Sequence, residues 1–539
     1  MPRARKRTLP RPASAAPPPA PVPEPPRPVG VVDMGASSLR LVVAEFPSAG
    51  NRPTTLEEAS RAVLLGKDTF TSGRIGAATM ESALKALEGF RRIMDGYGVV
   101  RYRAVATSAL REAANRDNFL DRVRLRTGME VEIIDGAEEN RLTYMAVREA
   151  LRGHEAMASG SALLVEVGGG SADISFLRDG QPVFSGTYAL GSIRLRQSLA
   201  SWHGSHEQRM RLLRRQVQNV VDDIRREMPL REARQVIALG GDVRFVAARL
   251  LGAPPGRTSV AELPRDQFLA FCESILPEDV EQLGEHFHLA LTEAETLTPA
   301  LLALRELLNE TPADRLIIPD ASLRLGLLLD LAGTEEGPGF EEFGCQVRAS
   351  AEALGEKYRY DAAHGRHVAH LATRLFDELR PEHGLASRDR LLLEVAALLH
   401  DVGIFIDLRG HHKHSQYILS GSQIFGLSRD DMAVISNVAR YHRRALPARS
   451  HPFYVSLERE MRLVVDKTAA ILRAANALDA DHLQKVKDFK LVREPEAWAL
   501  QVEAAGDLTM ERLAFAARTD LFAEVFGRRL IFREAPAAP

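Results

Sequence analysis

Two stretches of the chain share one pattern of apolar and polar positions. VGVVDMGASSLRLVVAEF (29–46) and LLVEVGGGSADISFL (163–177) each run apolar, reach an acid, turn through glycine and serine, and resume with alternating apolar positions. Aligning Asp33 with Glu166 sets Gly35 against Gly168, Ser38 against Ser171 and Leu41 against Ile174. Alternation after the turn predicts a strand, so each stretch reads as a β-hairpin. A dinucleotide or P-loop site would need a helix after the glycines. A third apolar strand ends in a glycine pair, VIALGGD at 236–242, with Gly240 and Gly241 at its tip.

Between the repeats, periodicity predicts a helix at 77–96, a strand at 102–106, a helix at 109–126 with Gly128 as its C-cap, a strand at 130–134 and a helix at 138–152. Residues 206–228 and 264–331 read mostly helical, with a short strand at 315–318. GTEEGPGFEEFG (333–344) reads as a linker. Residues 345–487 are helical almost throughout. The end changes character: a hairpin at 489–502, helix at 508–526 and a closing strand at 529–532. The expected architecture is an α/β two-lobe body, 29–150 and 151–332, then an all-α domain at 345–487 and a small α+β cap at 488–539.

Composition refines this picture in three ways. Residues 1–28 hold 11 of the 29 prolines and a basic start, which predicts a disordered tail that is either merely solvated or an electrostatic tether. Two cysteines, Cys272 and Cys345, exclude a disulfide framework and fit a reducing, cytoplasmic setting. No apolar run is long enough for a membrane span, and a formal net charge of −2 leaves any anion-binding surface local, so neither a membrane nor a nucleic-acid partner is expected.

Glycine backbone after a strand lets several N–H groups converge on one anion. Gly35, Ser37 and Ser38 on one side and Gly168, Gly169, Gly170 and Ser171 on the other, with Gly240 and Gly241, would grip a phosphoryl group across a cleft. The acids Asp33, Glu166 and Asp173 would repel that group unless Mg²⁺ lay between. Hydrolysis also needs a group to activate water. IIDGAEENR (133–141) offers Glu138 and Glu139 at a helix start, where acids also serve simply as dipole partners. Arg111, in ATSALREAAN, can bind phosphate oxygens bidentately or be an ordinary exposed helix arginine.

Taken together, VVDMGASSLRLVV, ATSALREAAN, IIDGAEENRLTYMAV, EVGGGSADI and ALGGD, in that order, resemble the exopolyphosphatase / guanosine pentaphosphate phosphohydrolase (Ppx/GppA) family. That family belongs to the actin–hexokinase–Hsp70 superfamily, with a ribonuclease H-like fold. The resemblance implies Mg²⁺-assisted attack of water on a terminal phosphoryl group, Glu139 as general base, and Arg111 with the glycine loops on the phosphates. It implies inorganic polyphosphate or guanosine pentaphosphate (pppGpp) as substrate, and homodimers among long members, although nothing in this sequence fixes the oligomeric state. Five positions depart from the family pattern. Glu166 and Asp173 stand where Asp and Glu are usual, Ala36-Ser37 replaces Ser-Asn, and Leu325 replaces an acid. The exchanged acids, with Asn476 in the helical part, favour a second reading, a catalytically weak polyphosphate or alarmone sensor. Kinase chemistry on the same fold lacks an acceptor-sugar pattern.

In the helical part, LLHDVG places His400 and Asp401 at the end of an apolar helix. His364 lies upstream, and His411, His412, His414 and His442 lie downstream. This resembles an HD phosphohydrolase domain, which implies a second divalent metal held by His364, His400, Asp401 and His414, catalytic or merely bound; the other reading is a helical domain whose histidines are hydrogen-bonded remnants. The late acid of that pattern is Asn476 here, a poorer ligand for a hard cation; Asp479 is three residues on. Arg440, His442, Arg443, Arg444 and Arg449 form a basic cluster, read as a polyanion path or as a solvated helix end.

Overall fold

The computed structural model describes residues 28–46, 52–199, 203–252, 260–333, 338–504 and 506–534. The expected tail at 1–28 therefore lies almost wholly outside the described residues.

The first lobe opens with β1 (Val29–Met34), β2 (Ser38–Glu45) and β3 (Thr54–Ala62), followed by α1 (Leu65–Ser72) and α2 (Ala77–Gly96). Next come β4 (Arg101–Ala106), α3 (Ser108–Glu112), α4 (Arg116–Thr127), β5 (Glu132–Ile133) and α5 (Gly136–Ala150). β1 is buried along its whole length because it lies at the centre of the sheet β3-β2-β1-β4-β5. α2 buries Met80, Ala83, Leu84, Leu87, Phe90 and Met94, a stripe at helical spacing, against that sheet. Gly128 ends α4 in the left-handed conformation at φ 67°, as the pattern predicts. The single helix expected at 109–126 is instead two, because the Asn115 side chain bonds both the N–H and the C=O of Ile75 and pins a break there.

The second lobe carries β6 (Ser161–Val167), β7 (Ala172–Arg178), β8 (Gln181–Tyr188), α6 (Ser192–Ser198), α7 (His206–Glu227), β9 (Gln235–Leu239) and α8 (Gly241–Leu251). It continues with β10 (Ala261–Pro264), α9 (Arg265–Ile275), α10 (Val280–Phe287), α11 (Leu291–Asn309) and β11 (Arg315–Ile318). Its sheet runs β10-β11-β9-β6-β7-β8. In both lobes the first strand pairs antiparallel with the second and the second with the third, while the first pairs parallel with a later strand. The internal repeat is therefore a repeat of topology as well as of sequence pattern.

α12 (Leu323–Ala332) departs from the expected second-lobe boundary at 332. Its Leu323, Leu327 and Leu328 join Val29, Val31 and Val42 in the first lobe's core. It crosses α5 so closely that a Cβ on Gly326 would meet the Leu142 carbonyl oxygen at 2.1 Å. α5 itself lies between the lobes, with Leu142 in the first core and Tyr144, Ala146 and Val147 packed with Leu164 and Ile237 of the second sheet.

The expected linker is shorter than 333–344, because α13 (Pro338–Lys357) already starts at 338. The helical domain continues with α14 (Ala362–Glu378), α15 (Arg380–His383), α16 (Ser387–Leu399), α17 (His411–Ser420), α18 (Arg429–Arg440), α19 (Pro452–Val455) and α20 (Arg459–Ala477). β12 (Val486–Arg493), β13 (Ala497–Ala504), α21 (Thr509–Arg518), α22 (Asp520–Phe526) and β14 (Arg529–Glu534) follow as an α+β cap. Helices and cap share one apolar core, from Val347 and Leu371 through Ile471 to Leu500 and Phe522. Among the described residues no helix is long and apolar enough to cross a membrane.

Candidate active site

The two hairpin turns have the same geometry. The Gly35 N–H donates to the Ser38 carbonyl at 3.0 Å, and the Gly168 N–H to the Ser171 carbonyl at 2.9 Å. These glycines thus use their own amides to close the turns, and the turn tips are left to face a ligand. The tips meet across the lobes. A Cβ on Gly169 would lie 3.1 Å from the Ala36 Cβ, and one on Gly170 would lie 2.1 Å from Ser108 Oγ. Together the turns wall a cleft of about 530 Å³ that also takes in Gly240, Gly241, Arg40, Arg244 and Arg324.

The register explains the acids. Asp33 stands directly across from Arg40, and Glu166 directly across from Asp173. Arg40 is therefore the first-lobe counterpart of Asp173. Like charges facing each other on adjacent strands are destabilising unless something neutralises them. Burial pushes the Asp173 carboxyl up to about 7, with Thr187 opposing and Glu166 adding to the rise. Burial raises Glu166 as well, against a hydrogen bond from Thr143 at 3.0 Å. Thr187 donates to Asp173 at 2.6 Å. It can reach because residue 136 is glycine: a Cβ there would lie 2.0 Å from Thr187 Oγ1. The exchanged lengths of the two acids fall on directly paired positions.

Glu139 projects into the cleft from the first turn of α5. Its Oε2 is buried without a hydrogen-bond partner. Burial, then Asp173, holds its carboxyl well above the usual range, while Arg111 works against both. Arg111 donates to the Ile134 carbonyl at 2.6 Å and lies 3.6 Å from Glu139 Oε2, so in this structure it flanks the acid.

Glu138, the other candidate for activating water, is corrected by the structure. Its carboxylate points away and accepts from Arg103 at 2.9 Å and from Arg141 at 2.7 and 2.8 Å. Both arginines also hold Asp330 of α12. The Asp135 side chain caps α5 through the Glu138 N–H at 3.0 Å and accepts from the Arg429 N–H of the helical domain at 3.2 Å. The helix carrying Glu139 is thus tied to three parts of the molecule.

Of the expected Mg²⁺ ligands, Asp33 and Glu166 line the cleft, while Asp173 pairs with Glu166 across the strands without lining it, and the three form no tight cage. Among the described residues no three of these carboxylates gather oxygens within 4.8 Å of one another, and Asp33 also accepts from Arg324 at 3.1 Å. An all-oxygen set with mutually repelling buried acids fits a Mg²⁺ that keeps waters and takes one or two carboxylates plus phosphate oxygens.

Sequence reasoning missed Arg40, Arg244, Thr143 and Thr187. Arg40 was reachable, since it follows Ser38 by two on an alternating strand and so shares its face. Thr143 was within reach too, four residues after Glu139 on the same helix face. Arg244 and Thr187 carried no local signal. Leu325, in place of an acid, packs with the cluster around Tyr144 and Phe425.

In the helical domain, His364, His400, Asp401, His411 and His442 converge, with Asp401 within 4 Å of each of the four histidines. Burial pushes His400 down to about 4 and His442 in the same direction. His414 is not part of the group; its ring faces the Asp407 carbonyl on the surface. Two sets bring ligand atoms close together, His364 with Asp401 and His482, and Asp401 with His411 and His442; Asn476 is buried outside both, while Asp479 bonds His364 Nδ1 at 2.8 Å. Of the expected basic cluster, Arg440 and His442 are buried, which leaves Arg443, Arg444 and Arg449 towards solvent.

The profile of the Ppx/GppA phosphatase family matches residues 42–335, and that of Ppx/GppA phosphatase, domain III, matches residues 347–517. Exopolyphosphatase 1 of Mycobacterium tuberculosis is 32% identical over 167 residues, 31% of this chain and 47% of that protein. The chain thus spans about half the length of that relative. Guanosine-5'-triphosphate,3'-diphosphate pyrophosphatase of Aeromonas hydrophila is 24% identical over 409 residues, 74% of this chain and 77% of the relative. The crystal structure of an exopolyphosphatase from Cytophaga hutchinsonii superposes with a TM-score of 0.52 at 23% identity, over 57% of this chain and 99% of its own. That likeness shows the two-lobe fold.

Proposed function

Because the chain belongs to the Ppx/GppA phosphatase family, we propose that it hydrolyses the terminal anhydride bond of inorganic polyphosphate and releases orthophosphate. The observation that carries this reading is Glu139, a buried carboxylate with an oxygen that accepts no hydrogen bond, on the lining of the space between two matching glycine turns. The turn tips, with Ser37, Ser38 and Ser171, hold the terminal phosphoryl group, and Gly240 and Gly241 extend the floor. Glu139 accepts a proton from water as the water oxygen bonds to the terminal phosphorus. The bond to the bridging oxygen breaks, and the shortened chain leaves with that electron pair. Arg111 flanks Glu139 and offsets its tendency to keep a proton. Arg40, Arg244 and Arg324 face the remaining phosphate charge. Mg²⁺, when held by one or two of Asp33, Glu166 and Asp173, supplies charge neutralisation at the phosphoryl oxygens.

The runner-up substrate is pppGpp, supported by the longer match to the Aeromonas relative. A cytoplasmic setting belongs to the same proposal. Phosphate release from both substrates, side by side with Mg²⁺, tests it. The expected result is a higher kcat/KM for polyphosphate. Preference for pppGpp would move the assignment to the runner-up, and release from neither would overturn hydrolysis in favour of a sensor.

A further inference from the structure

The first turn of α6 reaches both the second glycine turn and the opposite lobe. The Ser192 N–H donates to the Gly168 carbonyl at 2.9 Å, and the N–H groups of Ile193 and Arg194 donate to the Gly169 carbonyl at 2.9 and 3.1 Å. The Gly170 carbonyl accepts instead from a side chain, Arg194 Nε, at 2.7 Å. The approach is close, since a Cβ on Gly191 would lie 2.2 Å from the Gly170 carbonyl carbon. All three glycine carbonyls are therefore drawn towards α6. These peptides are trans, and in a trans peptide the N–H points opposite to the C=O. The N–H groups of Gly169, Gly170 and Ser171 thus point away from α6, on residues that line the cleft. The carbonyl anchors set the polarity of the turn. A flipped peptide would present an oxygen, not an N–H, to a phosphoryl group.

Two of the three carbonyls are anchored by backbone of the same lobe. The third anchor also leaves its lobe. Arg194 Nη2 donates to Glu112 of α3, and Arg194 Cζ lies 4.2 Å from the centroid of the Phe70 ring on α1. Phe70 in turn abuts the glycine turn, because a Cβ on Gly170 would lie 2.5 Å from its ring tip. Neighbouring contacts follow the same seam. Ile193 packs in the first lobe's core, and Thr71 Oγ1 donates to Gln197 Oε1 at 3.1 Å. The Arg194 and Glu112 side chains are 26% and 45% exposed, so their ion pair is weak by itself. Its effect is to fix where the guanidinium points.

We propose that Arg194 is a positioning residue that completes the second phosphoryl-binding turn only when the two lobes are together. Phe70 and Glu112 hold the guanidinium at the angle where Nε meets the Gly170 carbonyl. Lobes around a cleft open and close as units. When these part, both first-lobe partners withdraw, and the Gly170–Ser171 peptide loses its braced anchor. Closure of the cleft and grip on the terminal phosphoryl group thereby become one event. The inference rests on the phosphoryl-binding part of the proposed function and not on which anhydride is cleaved.

Orthophosphate probes the turn alone, titrated with Mg²⁺ into the full chain by calorimetry, and steady-state release from polyphosphate reads the reaction. Arg194→Ala should weaken orthophosphate binding by about 10-fold and lower kcat by about 10–100-fold. KM for long polyphosphate should stay within about threefold, because Arg194 touches no ligand and the rest of the chain meets Arg40, Arg244 and Arg324. Glu112→Gln and Phe70→Leu leave Arg194 in place and should each weaken orthophosphate binding by about threefold. Combined with Arg194→Ala they should add nothing further, because they act through the same side chain. Circular dichroism identifies a variant that fails to fold, and Arg194→Lys, which keeps the charge but lacks the planar fork, then replaces Arg194→Ala. Equal orthophosphate affinity in the wild type and the folded Arg194 variant would overturn the proposal, as would fully additive losses or a wild type that binds no orthophosphate. A wild type that cleaves neither polyphosphate nor pppGpp overturns the hydrolysis reading instead, and the orthophosphate titrations still decide the role of Arg194.

Discussion

Replacing Glu138 by glutamine removes charge from a side chain that never reaches the cleft yet adjoins Glu139. Three charge-assisted bonds converge on it, at 2.9 Å from Arg103 and at 2.7 and 2.8 Å from Arg141. Each such bond contributes about 1.5–3 kcal/mol when intact. The side chain is 21% exposed, and both arginines keep Asp330 at 2.6 and 2.7 Å. The net loss of stability should therefore be at the low end, about 2 kcal/mol. If the network aims the first turn of α5, about 1–2 kcal/mol of that loss should reappear in the barrier, a fall of roughly 5–30-fold in kcat. KM should stay within about twofold, because Glu138 touches no ligand. Steady-state phosphate release from polyphosphate, with thermal melting of the same samples, measures both. A lower melting temperature with kcat unchanged would refute the positioning role and leave the network purely structural.

Other consequences follow from the cleft acids. Asp173 is pushed up to about 7 by burial, so the folded state holds this proton more tightly than the unfolded one. Its contribution to stability is full below the ordinary carboxylate range and is lost as pH rises through about 7. In metal-free protein Asp173→Asn should flatten the fall in melting temperature between pH 5.5 and 8, and Mg²⁺ should stabilise the wild type more at pH 8 than at pH 5.5; identical slopes would contradict this. Thr187→Val removes the 2.6 Å bond that orients Asp173 and should weaken Mg²⁺ activation by about 10-fold or more, read as a rightward shift of the Mg²⁺ titration. An unshifted titration would remove Asp173 from the cation's reach.

Both hairpins were legible in the sequence because an apolar run, an acid and bare glycine are local signals, and the parallel between Asp33 and Glu166 was visible before any coordinate. Glu139 lay within a recognisable strand-to-helix junction, but the choice between it and Glu138 was not local. It depends on Arg103 and on Asp330, which lies far along the chain. The break at Asn115 is likewise set by a partner 40 residues away. α12 was assigned to the lobe it follows in sequence, while its leucines pack in the other. Among the histidines, His414 and His411 lie on neighbouring positions of one helix. His411 reaches Asp401 at 3.2 Å through a close approach at Gly403, where a Cβ would meet the His411 carbonyl oxygen at 2.2 Å, and no sequence period encodes that contact.

The most direct measurement of the central claim is the behaviour of Glu139→Gln towards polyphosphate in the presence of Mg²⁺. Binding, followed by calorimetry, should stay within about threefold of the wild type, while kcat for phosphate release falls by about 10²–10⁴-fold. A variant that hydrolyses within about tenfold of the wild type would show that water is activated elsewhere, and the account of the cleft would be wrong.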